Sequence, residues 1–190
     1  DKASFIVSGR RTYIDALITP FIDANSSFGG SRYFFYDLNG RLDWDLDNGQ
    51  SLYVSGYYGD DAFDFSSPNT EFKTTVTWGN RIISAGYEKI LNSKTLLKIN
   101  GSYTKYNFGF LGSQDDFELE VNSQITDYRL KPELTIELGN HQLKTGFSYI
   151  FHDISPNNSS AEQGETIFDL GEQQQFYSHE GAFYLSDEFN

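Results

Sequence analysis

Leu38-Asn39-Gly40-Arg41-Leu42-Asp43-Trp44-Asp45-Leu46-Asp47-Asn48-Gly49-Gln50-Ser51-Leu52-Tyr53-Val54-Ser55-Gly56-Tyr57-Tyr58 is the stretch that decides the fold class. Leu38, Gly40, Leu42, Trp44 and Leu46 fall on one parity, and Asn39, Arg41, Asp43 and Asp45 on the other. Alternation of period two puts each set on its own face of a strand. Asp47-Asn48-Gly49-Gln50 reads as a tight turn. Beyond it Leu52, Val54, Gly56 and Tyr58 oppose Ser51, Tyr53, Ser55 and Tyr57. Two alternating strands joined by a short turn make an antiparallel hairpin.

The same arrangement recurs. Leu91-Asn92-Ser93-Lys94 and Gly139-Asn140 are further tight turns, and the three are almost evenly spaced near residues 48, 93 and 139. Between them lie longer segments rich in Ser, Asn, Gly, Asp and Pro: Ile22–Ser31, Ser66–Thr70, Leu111–Asp116 and Pro156–Gln174. Short turns at one end of every hairpin and long loops at the other is the layout of a transmembrane β-barrel wall. Leu97, Ile99, Gly101 and Tyr103 oppose Lys98, Asn100, Ser102 and Thr104. Leu130, Pro132, Leu134, Ile136 and Leu138 oppose Arg129, Lys131, Glu133, Thr135 and Glu137, and Leu143, Phe147, Tyr149 and Phe151 oppose Gln142, Lys144 and Ser148. Lys73–Ile90 carries apolar residues on both parities, and the parity of Phe176–Asn190 is equally unresolved. Pro132 removes a ladder donor and points to a bulge. About eight strands are expected, beginning near Lys2, Tyr33, Ser51, Thr70, Thr95, Phe117, His141 and Phe176. Roughly 9–11 residues cross a bilayer on a tilt, so these longer strands should continue past it on the loop side.

Composition agrees. Of 190 residues 38% are hydrophobic, and no run approaches the roughly 18 apolar residues of a membrane helix. A barrel strand needs no such run, because only every second residue faces lipid. Aromatics reach 17%, with 13 Tyr and 17 Phe, an excess suited to interface girdles. Cysteine is absent, which excludes a disulfide, a thiolate metal site and a Cys nucleophile within the chain. A net charge of −13 argues against nucleic-acid binding and against a polybasic membrane patch. The chain opens Asp1-Lys2-Ala3-Ser4 with no initiator Met or signal-peptide pattern and closes within a strand-like stretch, so it reads as a piece of a longer protein.

Ser4-Phe5-Ile6-Val7-Ser8-Gly9-Arg10-Arg11-Thr12-Tyr13-Ile14-Asp15 resembles an early barrel strand of TonB-dependent outer-membrane receptors in the Bacteroidetes style. Phe35–Leu42 followed by Leu52–Gly59 looks like the next hairpin, and Glu180-Gly181-Ala182-Phe183-Tyr184-Leu185-Ser186-Asp187-Glu188-Phe189 is similar to the strand that opens a later one. The resemblance runs the length of the chain, and its motifs are loose. It implies an outer-membrane barrel of about 22 strands with a plugged lumen, importing a scarce nutrient with energy from the TonB system. Residues 1–190 would then be a partial barrel domain, without the plug domain and the remaining strands. The implied partners are outer-membrane lipid, the rest of the receptor including its plug, the TonB system through regions outside this chain, and a surface lipoprotein lid.

Little chemistry is visible, and neither catalysis nor a cofactor is expected. His141, His152 and His179 lack HExxH-like spacing. His141 reads as a solvated turn residue, and His152-Asp153, near a strand end, as a weak candidate for ligand contact. Asp60, Asp61 and Asp64 could offer oxygens to Ca²⁺, but their spacing is not that of an EF-hand loop. A solvated acidic strand end is the simpler reading, and Asp115-Asp116 reads the same way. Asn100-Gly101-Ser102 matches the glycosylation pattern but sits within a strand. Tyr33, Phe34, Phe35 and Tyr36 could stack on a ligand, although a girdle needs none. Leu42, Trp44, Val54, Ile99, Leu134, Ile136 and Phe147 are expected to face lipid. Arg41, Asp43, Arg129, Lys131, Glu133 and Glu137 are expected to face the lumen. An independent eight-stranded outer-membrane barrel and, more weakly, a soluble β-sandwich are the alternatives.

Overall fold

The computed structural model describes residues 2–21, 29, 31–66 and 71–189. Ile22–Ser31 and Ser66–Thr70 therefore lie largely outside the described residues. The strands are β1 (Ala3–Arg11), β2 (Arg32–Asp47), β3 (Gln50–Ser66), β4 (Lys73–Asn92), β5 (Thr95–Gln114), β6 (Phe117–Leu138), β7 (His141–Gln163), β8 (Thr166–Phe168) and β9 (Gln174–Phe189). A five-residue helix, α1 (Ile14–Ile18), and a 3-10 turn at Thr19–Phe21 follow β1. No helix among the described residues is long and apolar enough to cross a membrane, which leaves strands as a means of crossing untouched.

All strands join one antiparallel sheet, in which β1 to β7 pair in sequence order. The far part of β7 pairs with β8, and its nearer part, from His141 to Asn157, pairs with β9. The expected tight turns stand at Asn48-Gly49, Ser93-Lys94 and Gly139-Asn140, each flanked by a bonded pair. β1 and β9 do not pair with each other, so the sheet is open and not a closed small barrel. It is also a single layer. Among the described residues Ala161 is the one buried hydrophobic side chain. A β-sandwich buries two apolar faces against each other, and among the described residues no second sheet stands opposite this one.

Register fixes which residues share a face, because directly paired residues point the same way. Phe5, Leu42, Val54, Ala85, Gly101, Leu130, Tyr149 and Gly181 are successive partners across the sheet. All seven expected lipid-facing residues lie on this Leu42 face, and all six expected lumen-facing charges lie on the opposite, Arg41 face. Leu42, Trp44, Val54 and Phe147 are exposed in the isolated chain. Ile99, Leu134 and Ile136 are only half-exposed, because same-face neighbours cover them: Tyr87 and Pro132 beside Ile99, Leu97 and Thr145 beside Leu134.

Three expectations need correcting. Leu111–Asp116 is not a long loop: β5 runs to Gln114 and turns within Asp115-Asp116. Pro156–Gln174 is only partly a loop, since β7 continues to Gln163 and folds back as β8. The bulge falls at Pro156 instead of Pro132. Register shifts between Asn122 and Gln124 opposite β7, and between Ile154 and Asn157 opposite β9. Pro132 keeps its partner Ile99 on one side, and on the other the bridging lapses over Lys131 and Pro132 without a shift. A missing N–H there costs a bond but not the register.

Candidate functional site

The strands, from 16 to 23 residues for β2 to β7, divide into a half near the tight turns and a half near the loops. In the turn half the Arg41 face carries a polar network. Arg41 grips Asp43 through two bonds of 2.8 and 2.6 Å and lies 4.1 Å from the Tyr53 ring centroid. The Tyr53 hydroxyl donates to Asn100 Oδ1 at 2.9 Å. Lys98 donates to Glu88 at 2.9 Å, and Tyr184 donates to Glu133 at 2.5 Å with Lys131 above its ring. Two glycines make room for these tyrosines. A Cβ on Gly86 would fall 2.1 Å from Tyr53 Cε1, and one on Gly146 2.4 Å from the Tyr184 hydroxyl. Unbranched backbone lets each ring lie flat across the sheet.

In the loop half the faces exchange character. The Arg41 face becomes aromatic: Tyr33, Phe63, Val76 and Phe110 are successive partners, and so are Phe35, Asp61, Trp78 and Phe108. Tyr33 stacks on Trp78 with centroids 6.4 Å apart. Its hydroxyl donates to Asp61 at 2.9 Å, and this bond, ahead of burial, holds the phenol above its ordinary pKa. The Leu42 face becomes polar over the same stretch, with Asp60, Arg81, Lys105, Thr126 and Asp153. Tyr58, Tyr103, Tyr128, Phe151 and Tyr177 mark the exchange on that face. Tyr103 and Tyr128 lie 5.3 Å apart, Tyr128 and Phe151 6.2 Å, and Phe151 and Tyr177 5.9 Å.

The residues singled out in the sequence fall on both sides of this wall. Tyr33 and Phe35 belong to the aromatic Arg41 face, whereas Phe34 and Tyr36 point the other way, with Tyr36 6.0 Å from Tyr58. A girdle reading thus holds for only half of the run. His141 is a strand residue, 2.7 Å from Asp187 and beside Phe189. His179 contacts the Tyr149 hydroxyl at 2.7 Å on the Leu42 face. His152 stands within β7, away from its end. Its Nδ1 is 2.7 Å from Asp127 and its Nε2 3.8 Å from Glu180, all on the Arg41 face. Asp60 and Asp61 point to opposite faces, and Asp64 accepts from Thr75, so the three do not converge. No cluster of three or more metal-ligating acids or histidines occurs among the described residues. Asn100 is occupied by Tyr53. The missed signal was Trp78, whose stacking on Tyr33 depends on strand register alone.

The sequence matches no family model, and no curated protein matches it. The fold does have a counterpart. The crystal structure of the ferric yersiniabactin uptake receptor FyuA from Yersinia pestis superposes with a TM-score of 0.56 at 10% identity, over 84% of this chain and 27% of that one. The chain thus spans about a quarter of the length of that receptor. Its sheet has the fold of a receptor's β-barrel wall.

Proposed function

We propose that this chain is a section of the wall of an outer-membrane receptor that imports a scarce nutrient by TonB-dependent transport. The exchange of faces along single strands carries the reading. A wall crossing a bilayer needs apolar side chains outward over roughly 9–11 residues per strand, and on β6 the outward apolar set runs from Tyr128 to Leu138. Charges there would face a water-filled or plugged lumen, where they can be satisfied. Beyond the bilayer both surfaces meet water or ligand, and the requirement reverses. The Leu42 face is then outward and the aromatic loop half of the Arg41 face lines an outer vestibule. The plug, the remaining strands, a TonB contact and a lipoprotein lid belong to the rest of the protein under this reading. The Bacteroidetes-type affiliation is part of the same proposal and rests on the sequence resemblance of Ser4–Asp15.

Spin labels at Val54 and Ser55 of the full-length receptor in vesicles test the orientation. The Val54 label should be relaxed by oxygen and the Ser55 label by an aqueous nickel chelate; the opposite result would exchange the faces. Uptake by cells that persists without TonB would overturn the transport class.

A further inference from the structure

Arg81 and Lys105 are direct cross-strand partners on the Leu42 face. Like charges in that relation repel. Among the described residues no carboxylate pairs with either. The nearest acids on this face are engaged elsewhere: Asp60 accepts from Tyr36 at 3.0 Å and Asp153 from Gln175 at 2.8 Å. Arg81 rests on the Tyr58 ring, 5.1 Å from its centroid. Its Nε is buried without an acceptor, and the Oδ1 of Asn107, two residues beyond Lys105 on the same face, is buried without a donor. A buried guanidinium N–H without an acceptor is costly. An anion seated between the two cations would relieve the repulsion through bonds to the terminal guanidinium N–H groups and the ammonium.

Below this pair lies a groove of about 510 Å³. Its floor is the paired Gly40 and Gly56, and Val7, Leu38, Ile83 and Tyr103 wall it. Arg81 is one of its lining residues, and Lys105 stands beside Arg81 on the next strand, outside the lining. An apolar trough bordered by a pair of cations is complementary to an amphiphile with an anionic head. We propose that Arg81 and Lys105 hold the phosphate of an outer-leaflet lipid whose acyl chain lies over Gly40 and Gly56. The inference rests on the outward assignment of the Leu42 face. The switch from apolar to polar at Tyr58 and Tyr103 puts the cations at headgroup level, where the phosphates of lipids lie.

Native mass spectrometry of the full-length receptor in detergent tests this, with dioleoylphosphatidic acid, dioleoylglycerol and inorganic phosphate as probes. The wild type should retain phosphatidic acid and shed dioleoylglycerol. Arg81→Gln and Lys105→Gln should each lower retention roughly fivefold. Gly40→Leu should lower it without changing charge, because a Cβ at Gly40 meets nothing within 4 Å and the added side chain fills the trough. Lys105→Gln alone leaves the Arg81–Tyr58 contact in place should the arginine variant fold poorly. Equal retention of the two lipids, or unchanged retention in the double variant, overturns the proposal. Displacement of phosphatidic acid by millimolar inorganic phosphate would make this a free-anion site and overturn the lipid assignment. If the Val54 label is in lipid and the preference is absent, this site alone fails. If that label is not in lipid, the outward assignment fails and the site with it.

Discussion

At the scale of single residues the two faces make opposite demands on a substitution. Leu134 lies near the middle of the apolar run from Tyr128 to Leu138 on β6. Under the proposed membrane orientation, Leu134→Arg in the full-length protein embedded in vesicles should cost about 2–4 kcal/mol by urea unfolding, because a guanidinium at the bilayer centre loses its hydration. A loss below the measurement error would move Leu134 off the lipid surface. On the other face a methyl is enough to disturb the polar network. Gly86→Ala should drive Tyr53 off the sheet and break its bond to Asn100, since the added Cβ would fall 2.1 Å from Tyr53 Cε1. That change should cost about 1–3 kcal/mol, the usual range for overpacking. Tyr53→Ala introduced with it should recover part of the loss, and an additive double variant would show that the ring was not the obstacle. The parities of Arg41, Asp43, Lys131 and Glu133 were legible in the sequence, since charge alternates with leucine there. The split of Tyr33, Phe34, Phe35 and Tyr36 was not: four consecutive aromatics carry no period, and only the register with β3 and β4 separates them.

At the scale of elements the turns set the register. Gly49 and Gly139 both adopt positive φ, +69° and +63°. Alanine at either should lose about 1–2 kcal/mol to the left-handed conformation. Gly49→Ala should lose more, because its Cβ would fall 3.0 Å from Ile90 Cβ while Gly139 has open space. Equal losses in denaturant titrations would mean that Ile90 yields freely. Hairpin positions could be read from Asn48-Gly49 and its counterparts because turn chemistry is local. β4 resisted reading for a physical reason. Val76, Trp78 and Ile82 point to one face, and Ile83, Ala85 and Tyr87 to the other. One strand passes through two environments, so no single parity describes it. Leu111–Asp116 misled because Gly112, Ser113 and Gln114 have loop-like composition, yet their backbone groups pair with β4 and β6. Outside a bilayer a strand has no need of apolar residues on its outer face.

At the scale of the whole molecule the wall combines a lipid-compatible belt with an aromatic surface above it. Trp78 is central to that surface, stacked on Tyr33 and paired between Asp61 and Phe108. Under the proposed transport function, Trp78→Ala in the full-length protein should weaken cargo binding at least several-fold while leaving the barrel assembled, as judged by its heat-modifiable migration in gels. Undiminished binding would leave recognition to the loops, among them residues 169–173 between β8 and β9. The open, neighbour-to-neighbour order of the sheet has one more consequence. From β2 to β7 each strand pairs with the one just made, and several of the reversals take only two residues. Closing so short a connection carries little entropic cost, and contacts between sequence neighbours favour rapid formation. The wall can therefore grow hairpin by hairpin, each new strand finding a finished edge to dock on. A nascent wall built this way would keep the free edge of β1 and show one further, advancing edge, so the change in its exposure to misassociation follows the pace of the last strand added.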